Sequence, residues 1–465
     1  MSAIASDRHA AGNATQLGTS LKPRHITMIS IAGVIGAGLF VGSANAIKQA
    51  GPAVLISYFL AGTLVVLVMR MLGEMATTNP DTGSFSVYSD RALGRWAGFS
   101  IGWMYWWFWV LVIPVEATAA ASILTDLVGG AQWIWALAVT LLLTVTNLAS
   151  VGNYGEFEFW FALIKVIAIV AFIGIGVAAM FGVFPDSQVS GIDHLWQPDG
   201  FMPNGFGAVI AGMLVTMFSF MGTEIVTIAA AESPDPEAGI TKAVNSVIWR
   251  ISLFYLGSIF VIVALMPYNE LADGSYQSTL EAIGIPGSKI IMDIVILTAV
   301  ASCLNSALYT ASRMLFSLGD RGDAPRAVRR VARNGAPWVA VLASMVVGFL
   351  AVIGNYVLPD KIFGYLLATS GAIALFVYLA IAASQFVLGR RMREEGARAP
   401  VRMWLFPYLT VVVMAAIVAV LVLMAFDPDQ QSAIFLSLAS AVVIVVAGVI
   451  VQRRHAGTSE LVEKR

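Results

Sequence analysis

Long apolar stretches separated by short polar connectors run the length of this chain, and the stretches share one size. A helix that crosses a bilayer needs about 20 mostly apolar residues. Twelve segments meet that length, near 26–48, 53–77, 98–128, 132–150, 159–183, 206–231, 244–266, 288–316, 338–354, 362–387, 405–426 and 431–451. The pattern predicts an all-α membrane protein with 12 transmembrane helices. Residues 1–24, rich in Ala, Ser, Gly and Thr, read as a disordered tail without the apolar core of a secretory signal. A single transmembrane domain then occupies 25–452, and 453–465 forms a second tail.

Lysine and arginine orient these segments, because they concentrate on the cytoplasmic side. With the N-terminus inside, Lys22, Arg24, Arg91, Arg95, Lys242 and Arg250 fall in the cytoplasm. So do the runs Arg321–Arg333 and Arg390–Arg402, and the tail residues Arg453, Arg454, Lys464 and Arg465. Only Lys48, Lys289 and Lys361 lie near outer helix ends, and the outer loop 184–205 has none. The alternation supports an even number of crossings, both termini inside, and a multi-pass protein of a bacterial-type cytoplasmic (inner) membrane.

Composition agrees. The 465 residues are 58% hydrophobic and 12% charged, with a mean hydropathy of +0.81. Soluble domains carry roughly 25% charged residues, so lipid must cover much of this surface. A net charge of −1 points to no nucleic acid and no acidic partner. The lone Cys303 forms neither an internal disulfide nor a thiolate cluster, and the four histidines have no metal-ligand spacing. No metal, cofactor or obligatory protein partner is expected.

Two segments carry interruptions. The first contains Gly33, Gly36, Gly38 and Gly42, and each glycine costs a helix about 1 kcal/mol relative to alanine. The sixth contains Gly222-Thr223-Glu224, an ionisable side chain at membrane depth. Close packing through small residues explains the glycines. So does an unwound centre that offers backbone groups to a ligand, which lipid tolerates only where it lines a cavity. Breaks in corresponding helices of two halves mark a transporter site, and these segments are five apart. A half-helix beginning near Gly36 suits a carboxylate, and the carbonyls before it suit an ammonium group. A zwitterion fits both.

Elsewhere, Pro80–Phe85 signals a turn before a short amphipathic stretch ending at Arg91, either a helical hairpin dipping into the inner face or an ordinary loop. Trp103, Tyr105, Trp106, Trp107 and Trp109 wrap their helix, so some of them pack inside. No HExxH-type motif or nucleophile–base pair appears, and no ring of like charge, so an intramembrane enzyme and a channel are disfavoured.

The runs Gly33–Phe40, Pro80–Phe85, Phe218–Glu224, Glu232–Pro236 and Ser312–Pro325, in this order along nearly the whole chain, resemble the amino-acid permeases of the amino acid–polyamine–organocation superfamily. The stretches Gly94–Gly98, Trp103–Pro114, Asn153–Trp160 and Ser302–Arg313 match as well. The resemblance implies a LeuT-like 5+5 inverted repeat (25–183 and 206–387) with discontinuous helices 1 and 6, followed by two extra helices in 405–451. It implies proton-coupled symport of small ω-amino acids such as 4-aminobutyrate by alternating access. A permease for another small amino acid, such as proline, alanine or serine, stays open.

By motif position the resemblance places the substrate carboxylate on the amides of Gly36, Ala37 and Gly38, and the carbonyls of Val34, Phe218 and Met221 near an amine. Some members have a tryptophan gate where this chain has Phe218, so gating is not carried over. Lys165 stands where sodium-coupled members bind a cation between helices 1, 5 and 8, which implies a proton in place of sodium as coupling ion. Snorkelling to the inner surface is the other reading. Glu224 either shuttles a proton or holds helices 6 and 7 together. The longer reach of 4-aminobutyrate calls for an additional amine partner, with Glu116 and Asn305 as candidates. Glu116 can instead bond a neighbouring helix, and Cys303 either faces the pathway or packs.

Overall fold

The computed structural model describes residues 35–78, 84–149, 154–196, 199–225, 227, 235–271, 274–332, 335–396, 399–428 and 430–463. The tail 1–24, Val34, most of Pro80–Phe85 and most of Glu232–Pro236 lie outside the described residues.

Regular structure among the described residues is helical throughout. In chain order the helices are α1 (Ala37–Phe40), α2 (Gly42–Ala50), α3 (Val54–Thr78), α4 (Ser84–Leu93), α5 (Arg95–Val128), α6 (Gln132–Ala149), α7 (Tyr154–Met180) and α8 (Gly205–Phe220). They continue with α9 (Pro236–Arg250), α10 (Ser258–Leu265), α11 (Ser275–Ala282), α12 (Ser288–Asp320), α13 (Trp338–Val357), α14 (Pro359–Glu394), α15 (Tyr408–Phe426) and α16 (Gln431–Glu463). A π-helical stretch, Ile251–Gly257, joins α9 to α10 in one run. Nine helices among the described residues are long and apolar enough to cross a membrane, and two shorter ones are Gln132–Leu148 and Gly205–Phe220. The first of the nine runs from Ala37 to Thr78, yet Gly51 bends it with φ +64 and Gly51–Ala53 forms a 3-10 turn before α3.

Local chemistry sets the boundaries. Asp235 caps α9, its carboxylate accepting from the Ala238 amide at 3.2 Å, and Pro236 occupies the first turn where its missing N–H is harmless. Gly94, at φ +99, lets α4 fold back on α5, and a Cβ at Gly98 would stand 2.7 Å from the Asp90 Cβ. The amphipathic stretch from Ser84 is therefore a helix. Its buried Phe85 meets Tyr105 edge-on at 4.6 Å, and Ser89 bonds Ser384 at 2.9 Å.

Burial ranks the helices. The apolar window of α5 is 83% buried, whereas those of α15 and α16 are 28% and 22% buried. So α5 is the central post, packed most extensively on α12, and α15 and α16 sit at the rim. Apolar side chains left exposed on the outer helices, such as Leu142, Trp160 and Tyr356, make the lipid-facing surface. At the arginine-rich end, buried Asp323 accepts from Arg95 and Arg321, both at 2.9 Å, and buried Glu74 pairs with Arg393 at 2.8 Å. One helix escapes sequence reading. α11 is eight residues and polar, too short for the length criterion. It seats Tyr276 between Phe40 and Phe172, and Ser275 bonds Ser43 at 2.6 Å.

Candidate functional site

In the first glycine-rich segment the described residues begin at Ile35, just ahead of a helix start. Gly36 holds φ −143 and ψ −148, and helix begins only at Ala37. From there the backbone stays helical to Ala50, with Val41 as a turn residue in αR conformation. Small side chains are needed here for space. A Cβ on Gly36 would meet Glu116 Oε1 at 2.6 Å and the Cys303 Cβ and Sγ at 2.8 Å. One on Gly38 would meet Phe218 Cδ1 and Ser219 Oγ at 2.8 Å. Gly36 thus faces α5 and α12, and Gly38 faces the end of α8.

The Ala37 amide has a partner from another helix. It donates to both carboxylate oxygens of Glu116, at 3.2 and 3.0 Å. Both residues are buried, so water does not compete for either group. An unmet buried donor costs about 1–3 kcal/mol, and the carboxylate removes that penalty at the start of α1.

The sixth segment is interrupted. α8 stops at Phe220, Met221 turns extended at φ −64 and ψ 144, and Gly222 takes φ +97, a conformation that favours glycine. The Gly222 amide donates to both oxygens of Glu224, at 3.1 and 3.0 Å. Glu224, fully buried, caps its own break through a two-residue loop. The Phe218 carbonyl accepts from the Met221 amide at 3.2 Å, and the Ser219 carbonyl from Tyr255 Oη at 2.9 Å.

Lys165 lies on α7, wholly buried rather than snorkelling to a surface. Its ammonium donates to Ser302 Oγ at 3.0 Å, and the Ser302 hydroxyl donates to Glu158 Oε2 at 2.7 Å. Asn305 donates to Glu158 Oε1 at 3.4 Å and accepts from Asn147 at 2.8 Å. A lysine and a glutamate two turns apart on α7 are therefore bridged by a hydroxyl on α12. Ser302 is followed on α12 by Cys303, which lies against Gly36, so this network adjoins the start of α1.

Most of the expected residues converge. Gly36, Ala37, Gly38, Glu116, Cys303 and Phe218 meet around the start of α1, and Met221 and Glu224 shape the break after α8. Asn305 is hydrogen-bonded into the lysine network. Val34 is outside the described residues. Sequence reading missed Glu158 and Ser302. The signal for Glu158 was available: it lies seven positions before Lys165, on the same helix face, and is ionisable at membrane depth.

Known proteins match both sequence and fold. The sequence model of the family described as amino acid permease matches residues 25–458. The gamma-aminobutyric acid permease of Escherichia coli is 61% identical, covering 90% of each chain. A probable GABA permease of Pseudomonas aeruginosa is 58% identical over 94% of this chain and 93% of its own. An aromatic amino acid transport protein of Corynebacterium glutamicum is 42% identical over 90% and 92%. Among solved structures, a mutant of the manganese transporter of Eremococcus coleocola superimposes with a TM-score of 0.58 at 13% identity, covering 95% of this chain and 99% of the other. At that identity the likeness is one of fold alone.

Proposed function

The chain belongs to the amino acid permease family and is a membrane transporter of amino acids rather than an enzyme, and from that premise we propose that it takes up 4-aminobutyrate and related small ω-amino acids together with protons. The permeases at 61% and 58% identity supply the substrate class. The observation that carries the coupling is the buried lysine network. A fixed ammonium between α7 and α12 repels a sodium ion brought to the same place. Its neighbours Ser302 and Glu158 offer a proton a hydrogen-bonded route.

The architecture that goes with this reading has twelve crossings in two inverted five-helix repeats, 25–183 and 206–387, with two further helices in 405–451. Both termini face the cytoplasm of a bacterial cell, and the protein sits in the inner membrane. The substrate carboxylate binds the amides at Gly36, Ala37 and Gly38. Its ammonium is received near Phe218 and Met221 and, given the longer reach of 4-aminobutyrate, by Glu116 or Asn305. Lys165 and Glu224 are the candidate proton carriers.

Uptake of radiolabelled 4-aminobutyrate into proteoliposomes tests the proposal. We expect accumulation with an imposed proton gradient alone, competition by other ω-amino acids, and near loss with Lys165→Ala. Uptake driven by a sodium gradient would overturn the coupling, and preferential uptake of proline, alanine or serine would overturn the substrate.

A further inference from the structure

Resting on the carboxylate site just proposed, we infer that Glu116 is an internal occupant of that site. Its carboxylate holds the Ala37 amide until the carboxylate of a zwitterion replaces it.

Three observations carry this. First, the bond is between distant parts of the chain: Glu116 on α5 reaches an amide 79 positions away, with both oxygens within 3.2 Å. Glu224 differs in capping an amide two positions from itself, as a local turn does. Second, there is no room for two carboxylates. A single carbon added at Gly36 would already lie 2.6 Å from Glu116 Oε1 and 2.8 Å from Cys303, so an incoming anion takes the amide only if Glu116 departs. Third, α5 contains Pro114, two positions before Glu116. Proline leaves its i−4 carbonyl without a helical donor and weakens the local ladder. The turn bearing Glu116 is thus the easiest part of α5 to rotate.

The exchange has a consequence for selectivity. A displaced Glu116 is a charge in a buried site and needs a cation. A zwitterion brings one, since its ammonium can pair with the carboxylate that its own carboxylate has evicted. A plain monocarboxylate brings none, and two anions are left in one site. Glu116 therefore acts as a specificity-determining residue that excludes simple organic acids.

The test is equilibrium binding of butyrate, which is 4-aminobutyrate without its amine, to purified protein in detergent by calorimetry. Wild type should bind butyrate at least tenfold more weakly than Glu116→Ala does. Glu116→Gln, which keeps the shape and an acceptor for Ala37 but no charge, should fall between and serves if the alanine variant does not fold. A folded variant with butyrate affinity equal to or weaker than wild type overturns the inference. The outcomes separate it from the function proposed above. Tighter butyrate binding in a chain whose wild type takes up no ω-amino acid sinks the substrate assignment and keeps the occupant. Normal wild-type uptake with no butyrate gain does the reverse.

Discussion

At the scale of single residues the site is governed by what fits beside a bare backbone. Gly38 lies against the Phe218 ring and the Ser219 Cα, the latter 2.9 Å from where a Cβ would be. Backbone cannot step aside as a flexible side chain can. Gly38→Ala should therefore force α1 and α8 apart and lower the initial rate of 4-aminobutyrate uptake by about tenfold or more, measured in proteoliposomes against the protein content. Ser302 works differently: its hydroxyl accepts from Lys165 and donates to Glu158. Ser302→Ala leaves a buried ammonium and a buried carboxylate each short of one partner, a cost of about 1–3 kcal/mol. We expect slower proton-driven uptake and a lower Tm in detergent, while Ser302→Thr, which keeps the hydroxyl, retains most of both. The glycines, Glu116, Lys165 and Glu224 were legible because each breaks a rule of membrane helices. Ser302 was not, since a serine in such a helix usually bonds its own backbone.

At the scale of elements, close approach decides the packing of helices whose lipid-side partners are as apolar as they are. Gly176 on α7 shows this most clearly. A Cβ there would stand 2.1 Å from Val261 Cγ1 on α10, and valine's branched side chain has no room to turn away. Gly176→Ala should destabilise the protein by about 1–3 kcal/mol through overpacking, read as a fall in Tm, with Val261→Ala restoring it in the double variant. Among the described residues, helix lies in every apolar stretch the hydropathy pattern marks, but some ends differ widely: α8 stops at Phe220 and α16 runs on to Glu463. What that pattern does not reach are the short amphipathic pieces. α4 was one of two open readings, and α11 was missed because eight polar residues carry no length signal. α4 packs on the adjacent α5 and the distant α14, and α11 on the adjacent α12 and on α7 and α10.

At the scale of the whole molecule, a central α5 and peripheral α15 and α16 place the candidate site deep in the bundle, with the rim against lipid. The arginines gather with buried Glu74 and Asp323 at one end. If that end faces the cytoplasm, a reporter attached at the C-terminus should react with a membrane-impermeant reagent only after right-side-out cells are opened. Reaction in intact cells would reverse the orientation. The sequence alone determined that this is a helical membrane protein and that the helix carrying Gly222 is interrupted. Those properties depend on the length of apolar runs and on glycine's backbone cost, both local. Only the tertiary structure decided that Glu116 occupies the Ala37 amide and that Ser302 joins Lys165 to Glu158. Those contacts link positions 79 and 137–144 residues apart, and no local pattern encodes which buried polar groups will meet when the helices pack.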